Sequence, residues 1–247
     1  MSYQQDKELL KIFSGKRVAV IGPSPHLLNK GIGEIIDSYD IVCRINEIHP
    51  TGYEADYGKK TDIIFHNCSL PSIEEFGERL VEKSIISKYI KFVVCPCVKS
   101  EGQDNWTSWD NDFISPVVDN FAKINIFNIP FKWIGMENYR TVYNLFGSEP
   151  NAGQTSILMI LNHNIKELFI SGFSFYEQGN TDSLAYLPNH IYKHKINKLV
   201  GEAGHPQKPQ KECFKKYIFE KYNDLLKVDS YLNELLSLNH KNVLDLE

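Results

Sequence analysis

The chain has 247 residues, 42% of them hydrophobic and 23% charged, the length and make-up of one large globular domain that buries most of its apolar surface. Its 27 Lys and Arg against 31 Asp and Glu leave a formal net charge of −4, so no basic excess points to a nucleic acid or a membrane surface as partner. No run approaches the roughly 20 apolar residues that span a bilayer. Residues 1–15 carry Gln4, Gln5, Asp6, Lys7 and Glu8 and lack the apolar core of a signal peptide. A cytoplasmic protein is expected, soluble or peripheral on the inner face of the membrane. The five cysteines, Cys43, Cys68, Cys95, Cys97 and Cys213, are an odd number, and reduced thiols acting as small hydrophobes are expected. Cys95-Pro96-Cys97 lacks the second Cys/His pair that a zinc site needs.

In chain order, short apolar runs predict strands at residues 17–21, 41–44, 62–65, 91–94, 124–129 and 167–170, with helices at 33–38, 72–88, 113–123, 138–145 and 153–162 between them. This alternation predicts an α/β fold, a Rossmann-like parallel sheet flanked by helices. In the last of these helices Ile157, Leu158, Met159, Ile160 and Leu161 leave almost no polar face, so it is expected to be buried on both sides, with function confined to its N-terminus. From about 178 to 210 the periodicity fails among Gly, Asn, Pro, His and Lys, which reads as a lid carrying His190, His194 and His205 with Tyr186 and Tyr192. Phe214, Tyr217, Ile218, Tyr222, Leu225 and Leu226 then recur at helical spacing, predicting an amphipathic helix over 211–226 whose aromatic stripe is core. The last stretch, 228–247, mixes leucines with charges, as in a further short helix for assembly or for a peripheral membrane contact. The expected organisation is a single domain over 1–247, with the lid near 178–210 and a helical segment near 211–247.

Two Gly-anchored segments stand far apart. In the first, Val18–Ile21 runs into Gly22-Pro23-Ser24, where a buried parallel strand would open at its carboxyl end, the end at which open α/β sheets bind ligands. In the second, Pro150-Asn151-Ala152-Gly153 precedes a helix, and an apolar run ends in Ser171-Gly172-Phe173. On their own terms Gly22 reads equally as a turn residue or as a point of close backbone approach. Asn46 and Asn67, each after a strand-like run, read as turn residues or as side chains that both donate to and accept from a ribose, phosphate or sugar.

Gly22-x-Ser24, then Asp40-x-x-x-Arg44-x-Asn46, then Gly58-Lys59-Lys60-Thr61-Asp62 resembles the large motif of the sialyltransferases that use a cytidine monophosphate (CMP) donor, and residues 149–173 are similar to their small motif. Phe65-His66-Asn67-Cys68-Ser69-Leu70 and Ser171-Gly172-Phe173-Ser174-Phe175-Tyr176-Glu177-Gln178-Gly179 extend the likeness to bacterial sialyltransferases of surface glycans. The resemblance covers roughly residues 17–215. It implies that Gly22, Ser24, Asn46, Asn67, Asn151, Ala152, Gly153, Ser171, Gly172 and Phe173 meet the donor nucleotide. It further implies that Tyr176 and Tyr186 hydrogen-bond the departing phosphate, and that His205, in Gly204-His205-Pro206, is the general base, with Glu212 near enough in sequence to orient it. A phenol can stabilise developing charge without a metal, and an imidazole of ordinary pKa near 6.5 can take a hydroxyl proton at neutral pH. Pro23 stands where the family has Asn, which removes a side-chain donor and a backbone N–H.

The function expected from this resemblance is inverting, metal-independent transfer of a sialic acid or related nonulosonic or ulosonic acid from a CMP-activated sugar to a glycan or glycolipid hydroxyl in surface polysaccharide biosynthesis, with no cofactor. Two other readings stay open. Asp110-Asn111-Asp112 is a D-x-D, which in another class of glycosyltransferases holds a divalent cation, although, flanked by Trp106 and Trp109, it better suits a solvated loop or helix cap. The departures at Pro23 and at Ala152, which with Asn151 replaces the hydroxyl residues common in the family's small-motif turn, suit a noncatalytic nucleotide-binding module of glycan assembly.

Overall fold

A computed structural model describes residues 5–45, 50–67, 90–96, 114–125, 127–147, 150–175 and 207–246. The strands β1 (Arg17–Ile21), β2 (Ile41–Ile45), β3 (Ile63–Phe65), β4 (Phe92–Cys95), β5 (Phe131–Trp133), β6 (Glu167–Ser171), β7 (Leu226–Asp229) and β8 (Val243–Leu244) form one sheet in the order β5-β4-β3-β2-β1-β6-β7-β8. Every pairing is parallel. A parallel sheet needs crossovers and is covered on both faces, and so its strands read as continuous apolar runs rather than alternating ones. β2 is buried along its whole length, and β1 and β6 are buried beyond their first residues.

The side chains alternate between two cores. Val18, Val20, Cys43, Leu168 and Ile170 face a core shared with α1 (Lys7–Phe13), α5 (Met136–Phe146) and α6 (Ala152–Leu161). Ala19, Ile21, Val42 and Phe169 face the other side, where α2 (Gly33–Asp37) and α3 (Glu54–Tyr57) supply Ile36 and Tyr57. At the far edge Ile64, Val93 and Cys95 pack with Val117 and Phe121 of α4 (Ile114–Ile124). Each residue of α6 from Gly153 to Leu161 is buried, as its unbroken apolar sequence demands. The thiols of Cys43, Cys95 and Cys213 are buried, and burial pushes that of Cys43 well above its ordinary pKa. No helix among the described residues is long and apolar enough to cross a membrane.

Three expectations are corrected. The described residues of the run 124–129 form no strand: α4 continues to Ile124, Asn125 closes a turn on Ile129 through both amide atoms, and the fifth strand is Phe131–Trp133. Pro130 favours an extended residue before it and breaks the apolar run at its end. The helix expected over 211–226 begins at Gln207 and loses its α register at Phe214–Phe219, a π turn that keeps Phe214 and Ile218 in the core. Finally, the chain beyond it is not helical alone: β7 and β8 extend the sheet around the short α7 (Ser230–Leu235). Leu232, Leu236, Leu238 and Leu246 are consumed by that packing.

Candidate functional site

In a parallel sheet all carboxyl ends lie along one edge, and ligands settle where neighbouring strands send their chains in opposite directions. Here the chain leaves β1 toward β2 and the β5 edge, then returns across to β6 and continues to β8. The switch therefore lies between β1 and β6. Ile21 pairs with Ser171, so the two Gly-anchored segments meet end to end: the Gly22 amide donates to Ser171 O at 2.8 Å and the Ser24 amide to Gly172 O at 3.1 Å.

The glycines serve this meeting. A Cβ on Gly22 would fall 2.3 Å from Gly172 O, and a Cβ on Gly172, which also has φ +79°, would fall 2.3 Å from Gly22 O. The space freed by the missing side chains is filled by the opposing backbone. Gly153 has a parallel role: its Cβ would lie 2.6 Å from the Phe173 ring, so Phe173 lies against the first turn of α6. Asn151 caps that helix, accepting the Gln154 amide at 2.8 Å, while the first-turn amides at Ala152 and Gly153 lack intrahelical partners by helix geometry.

A second set of polar residues braces the switch from behind. Asp229, fully buried at the end of β7, accepts the Ser171 hydroxyl at 2.6 Å, the Gly172 amide at 3.1 Å and, as cap of α7, the Leu232 amide at 2.7 Å. His26 places Nε2 3.1 Å from the same carboxylate and Nδ1 2.9 Å from Ser24 Oγ, with its ring stacked on Tyr231. The Tyr57 hydroxyl donates to Ser24 O at 2.6 Å. Gln210 accepts from the backbone and side-chain N–H groups of Asn151 and takes the Gln154 amide on its carbonyl at 2.6 Å. Residues 207–210 are thereby joined to the cap of α6.

The Asp40-x-x-x-Arg44 and Gly58–Asp62 segments form a scaffold around the buried Arg44, Thr61 and Asp62. Arg44 donates to Thr61 Oγ1 at 2.8 Å and to the carbonyls of Tyr57, Gly58 and Lys60 at 2.9, 3.1 and 2.9 Å. Asp62 accepts the Val42 amide at 2.8 Å and an ion pair from Lys91 at 3.0 Å. Asp40, held below its ordinary pKa chiefly by the Arg17 amide, fixes the start of β1. These contacts set the relative height of β2 and β3, and so where the residues after each strand emerge. At the end of β3, Asn67 O accepts the Cys95 thiol at 3.3 Å, and the neighbouring His66 is fully buried, which pushes its pKa down to about 4.

The structure thus brings Gly22, Ser24, Gly153, Ser171, Gly172 and Phe173 together, with Asn151 and Ala152 at the adjoining helix end and Asn67 two strands away. The side chains of Ser24, Ser171 and Asn151 already have partners within the protein. Asn46, Tyr176, Tyr186 and His205 lie outside the described residues, as do His190, His194, Tyr192, Asp110 and Asp112. Glu212 is exposed, in an i,i+4 pair with Lys208 at 4.0 Å. His26, Asp229 and Gln210 were not singled out by the sequence. Asp229 had a local mark, the short alternation Leu226-Lys227-Val228 running into an Asp-Ser helix start; His26 and Gln210 had none.

Fold and geometry define a parallel Rossmann-like α/β protein with its topological switch between β1 and β6. The comparisons sharpen that class. Residues 4–101 match the family model of glycosyltransferase family 29 (sialyltransferase). Over 173 residues the chain is 30% identical to CMP-N-acetylneuraminate-beta-galactosamide-alpha-2,3-sialyltransferase 1 of Gallus gallus, covering 68% of this chain and 47% of that protein. Over 76 residues it is 40% identical to the protein of the same name from Sus scrofa, covering 31% of this chain and 21% of that one. The solved sialyltransferase CstII from Campylobacter jejuni, in complex with a substrate analogue, CMP-3FNeuAc, has the same fold with a TM-score of 0.56 at 16% identity, covering 92% of this chain and 86% of that one. The protein is sialyltransferase-like in sequence and in fold, and it spans about half the length of the Gallus gallus relative.

Proposed function

We propose that this protein transfers a sialic acid, or a related nonulosonic or ulosonic acid, from a CMP-activated donor to a glycan hydroxyl, with inversion and without a metal. The observation that carries this reading is the junction at the β1/β6 switch: Gly22–Ser24, within the span matched by the family model, meets Ser171–Phe173 and the N-terminus of α6. The donor assignment is supported by the Gallus gallus relative, whose name specifies CMP-N-acetylneuraminate, and by the solved fold neighbour, which is in complex with a substrate analogue, CMP-3FNeuAc. Amides at a helix N-terminus suit an anionic phosphate or carboxylate.

In this reading Tyr176 and Tyr186 donate to the leaving phosphate and His205 takes the acceptor proton, roles that rest on sequence resemblance. The acceptor is a surface glycan or glycolipid, and the work is cytoplasmic, at the inner face of the membrane; this part rests on the likeness to bacterial enzymes at Phe65-His66-Asn67 and Ser171-Gly172-Phe173.

The test is a screen of CMP-sugars against nucleoside diphosphate sugars, in EDTA, read by thermal stabilisation and by transfer or hydrolysis. Stabilisation by CMP and turnover of a CMP-nonulosonate in EDTA are expected. His205→Ala should cut the rate about 10²–10⁴-fold with CMP affinity nearly intact, and Tyr176→Phe should lower kcat more than it raises KM. Preference for a nucleoside diphosphate, or activity abolished by EDTA, overturns the reading in favour of a metal-dependent transferase; CMP binding without turnover of any donor leaves a binding module.

A further inference from the structure

The network around Asp229 crosses three consecutive strand ends. Asp229 terminates β7, Ser171 terminates β6, and Ser24 and His26 follow β1. Ser24, Ser171 and Asp229 are all buried, and the His26 side chain is only 4% exposed. A carboxylate only accepts. The Ser171 hydroxyl, the Gly172 amide and His26 Nε2–H therefore all donate to the same oxygen of Asp229, at 2.6, 3.1 and 3.1 Å. A ring with its hydrogen on Nε2 alone accepts the Ser24 hydroxyl at Nδ1, 2.9 Å away. The Tyr231 ring, stacked at 4.1 Å, fixes the imidazole plane.

We propose that His26 is a positioning residue for nucleotide binding: with Asp229 it locks the Gly22–Ser24 turn onto the Ser171–Phe173 turn and so holds the ligand end of the β1/β6 switch in its binding geometry. Both turns have lost the ordinary means of stiffness. Gly22 and Gly172 carry no side chains, and Pro23 has no N–H to contribute. Between strand ends where the main-chain ladder stops, the two backbone bonds from Gly22 and Ser24 are the direct ties, and the His26–Asp229 brace adds a link that runs through side chains on both sides. Buried and fully partnered networks of this kind specify one arrangement, and a loop held in its bound shape binds with less ordering cost. The proposal rests on the CMP-donor reading for its ligand.

His26→Phe keeps a ring against Tyr231 and removes both polar contacts, His26→Asn is too short to span Ser24 and Asp229, and His26→Gln retains an amide that can donate and accept. CMP affinity by calorimetry, donor KM and kcat, and amide exchange are measured where circular dichroism shows each variant folded. The expected result is a CMP dissociation constant and donor KM raised about tenfold in His26→Phe and His26→Asn, with kcat within about threefold and partial recovery in His26→Gln. Exchange of the Ser24 and Gly172 amides should speed up about tenfold or more while β3 and β4 amides stay protected. A folded His26→Phe or His26→Asn protein that binds CMP within about twofold of wild type, even with a lower melting temperature, makes His26 a structural residue only and overturns the proposal. Wild-type protein that does not bind CMP defeats the donor reading instead; the positioning claim then falls if amide exchange at Ser24 and Gly172 is unchanged in the variants and survives if it is accelerated.

Discussion

At the residue scale, single atoms decide whether the two turns at the β1/β6 switch can meet. Gly172 combines a positive φ with a backbone oxygen 2.3 Å from where its Cβ would be, whereas Gly147 has φ +63° and nothing within 4 Å. Gly172→Ala should therefore cost about 2–5 kcal/mol, the sum of left-handed strain and overpacking, against about 1–2 for Gly147→Ala. Urea midpoints of the two variants check this, and equal losses would remove the close approach as the cause. His66 gives a pH dependence with a definite sign. Burial lowers its pKa to about 4 in the folded protein from 6.5, so below pH 6.5 the unfolded chain takes a proton that the native state refuses. Stability from this group is present above 6.5 and falls by about 1.4 kcal/mol per pH unit until about pH 4. Burial lowers the His163 pKa in the same direction. His66→Gln should flatten the decline between pH 7 and pH 5 by about 2 kcal/mol in denaturant titrations; a variant with the wild-type slope would show that His66 is not the titrating group.

At the element scale, the contribution of β2 to the site depends on Arg44. Its guanidinium holds the 57–61 turn by three carbonyls and a hydroxyl, and a planar fork of donors is what lets one side chain do so. Arg44→Lys keeps the charge and loses the fork, leaving buried carbonyls without donors at about 1–3 kcal/mol each. The expected loss is about 3 kcal/mol or more by chemical denaturation, and a change below about 0.5 would mean that the turn holds itself. The same segment shows that much of the large motif is structural. Arg44, Thr61 and Asp62 are buried, and the contacts they make set the register of β2 against β3.

For the whole molecule, the sheet is continuous from β5 to β8, and the last strands brace the β1/β6 junction rather than forming an appendage. Removing residues 226–247 would expose the edge of β6 and delete Asp229, the acceptor for Ser171 and Gly172. That truncation should abolish the cooperative thermal transition, whereas removing only 240–247, with the two-residue β8, should lower the melting temperature and keep a transition. A cooperative transition in the longer truncation, seen by calorimetry, would show that β1–β6 fold without their neighbour. The leucines at 232, 236, 238 and 246 are buried in the domain, so they are not the residues of a membrane or subunit contact.

Much of this was written in the local sequence. β1, β2, β3, β4 and β6 and the helices α2, α4, α5 and α6 announce themselves because strands buried on both faces are short, apolar and rich in branched residues, and because α6 has no polar face to mislead the period; α3 was not expected, and the helix expected at 72–88 lies outside the described residues. The Gly-anchored turns were legible for the same reason: only glycine permits such approach. What the local sequence did not contain was the pairing of distant atoms. Residues 124–129 have strand composition but meet the end of α4, the Asn125 turn and Pro130, and Leu226–Val228 is too short a run to outweigh the helix before it until β6 pairs with it. His26 and Gln210 look like any other polar loop or helix residues, and their roles exist only because the fold carries Asp229 within 3.1 Å of one and Asn151 within 3.3 Å of the other. Periodicity and turn chemistry are properties of neighbours along the chain, whereas a hydrogen bond across some 200 residues is a property of the assembled sheet.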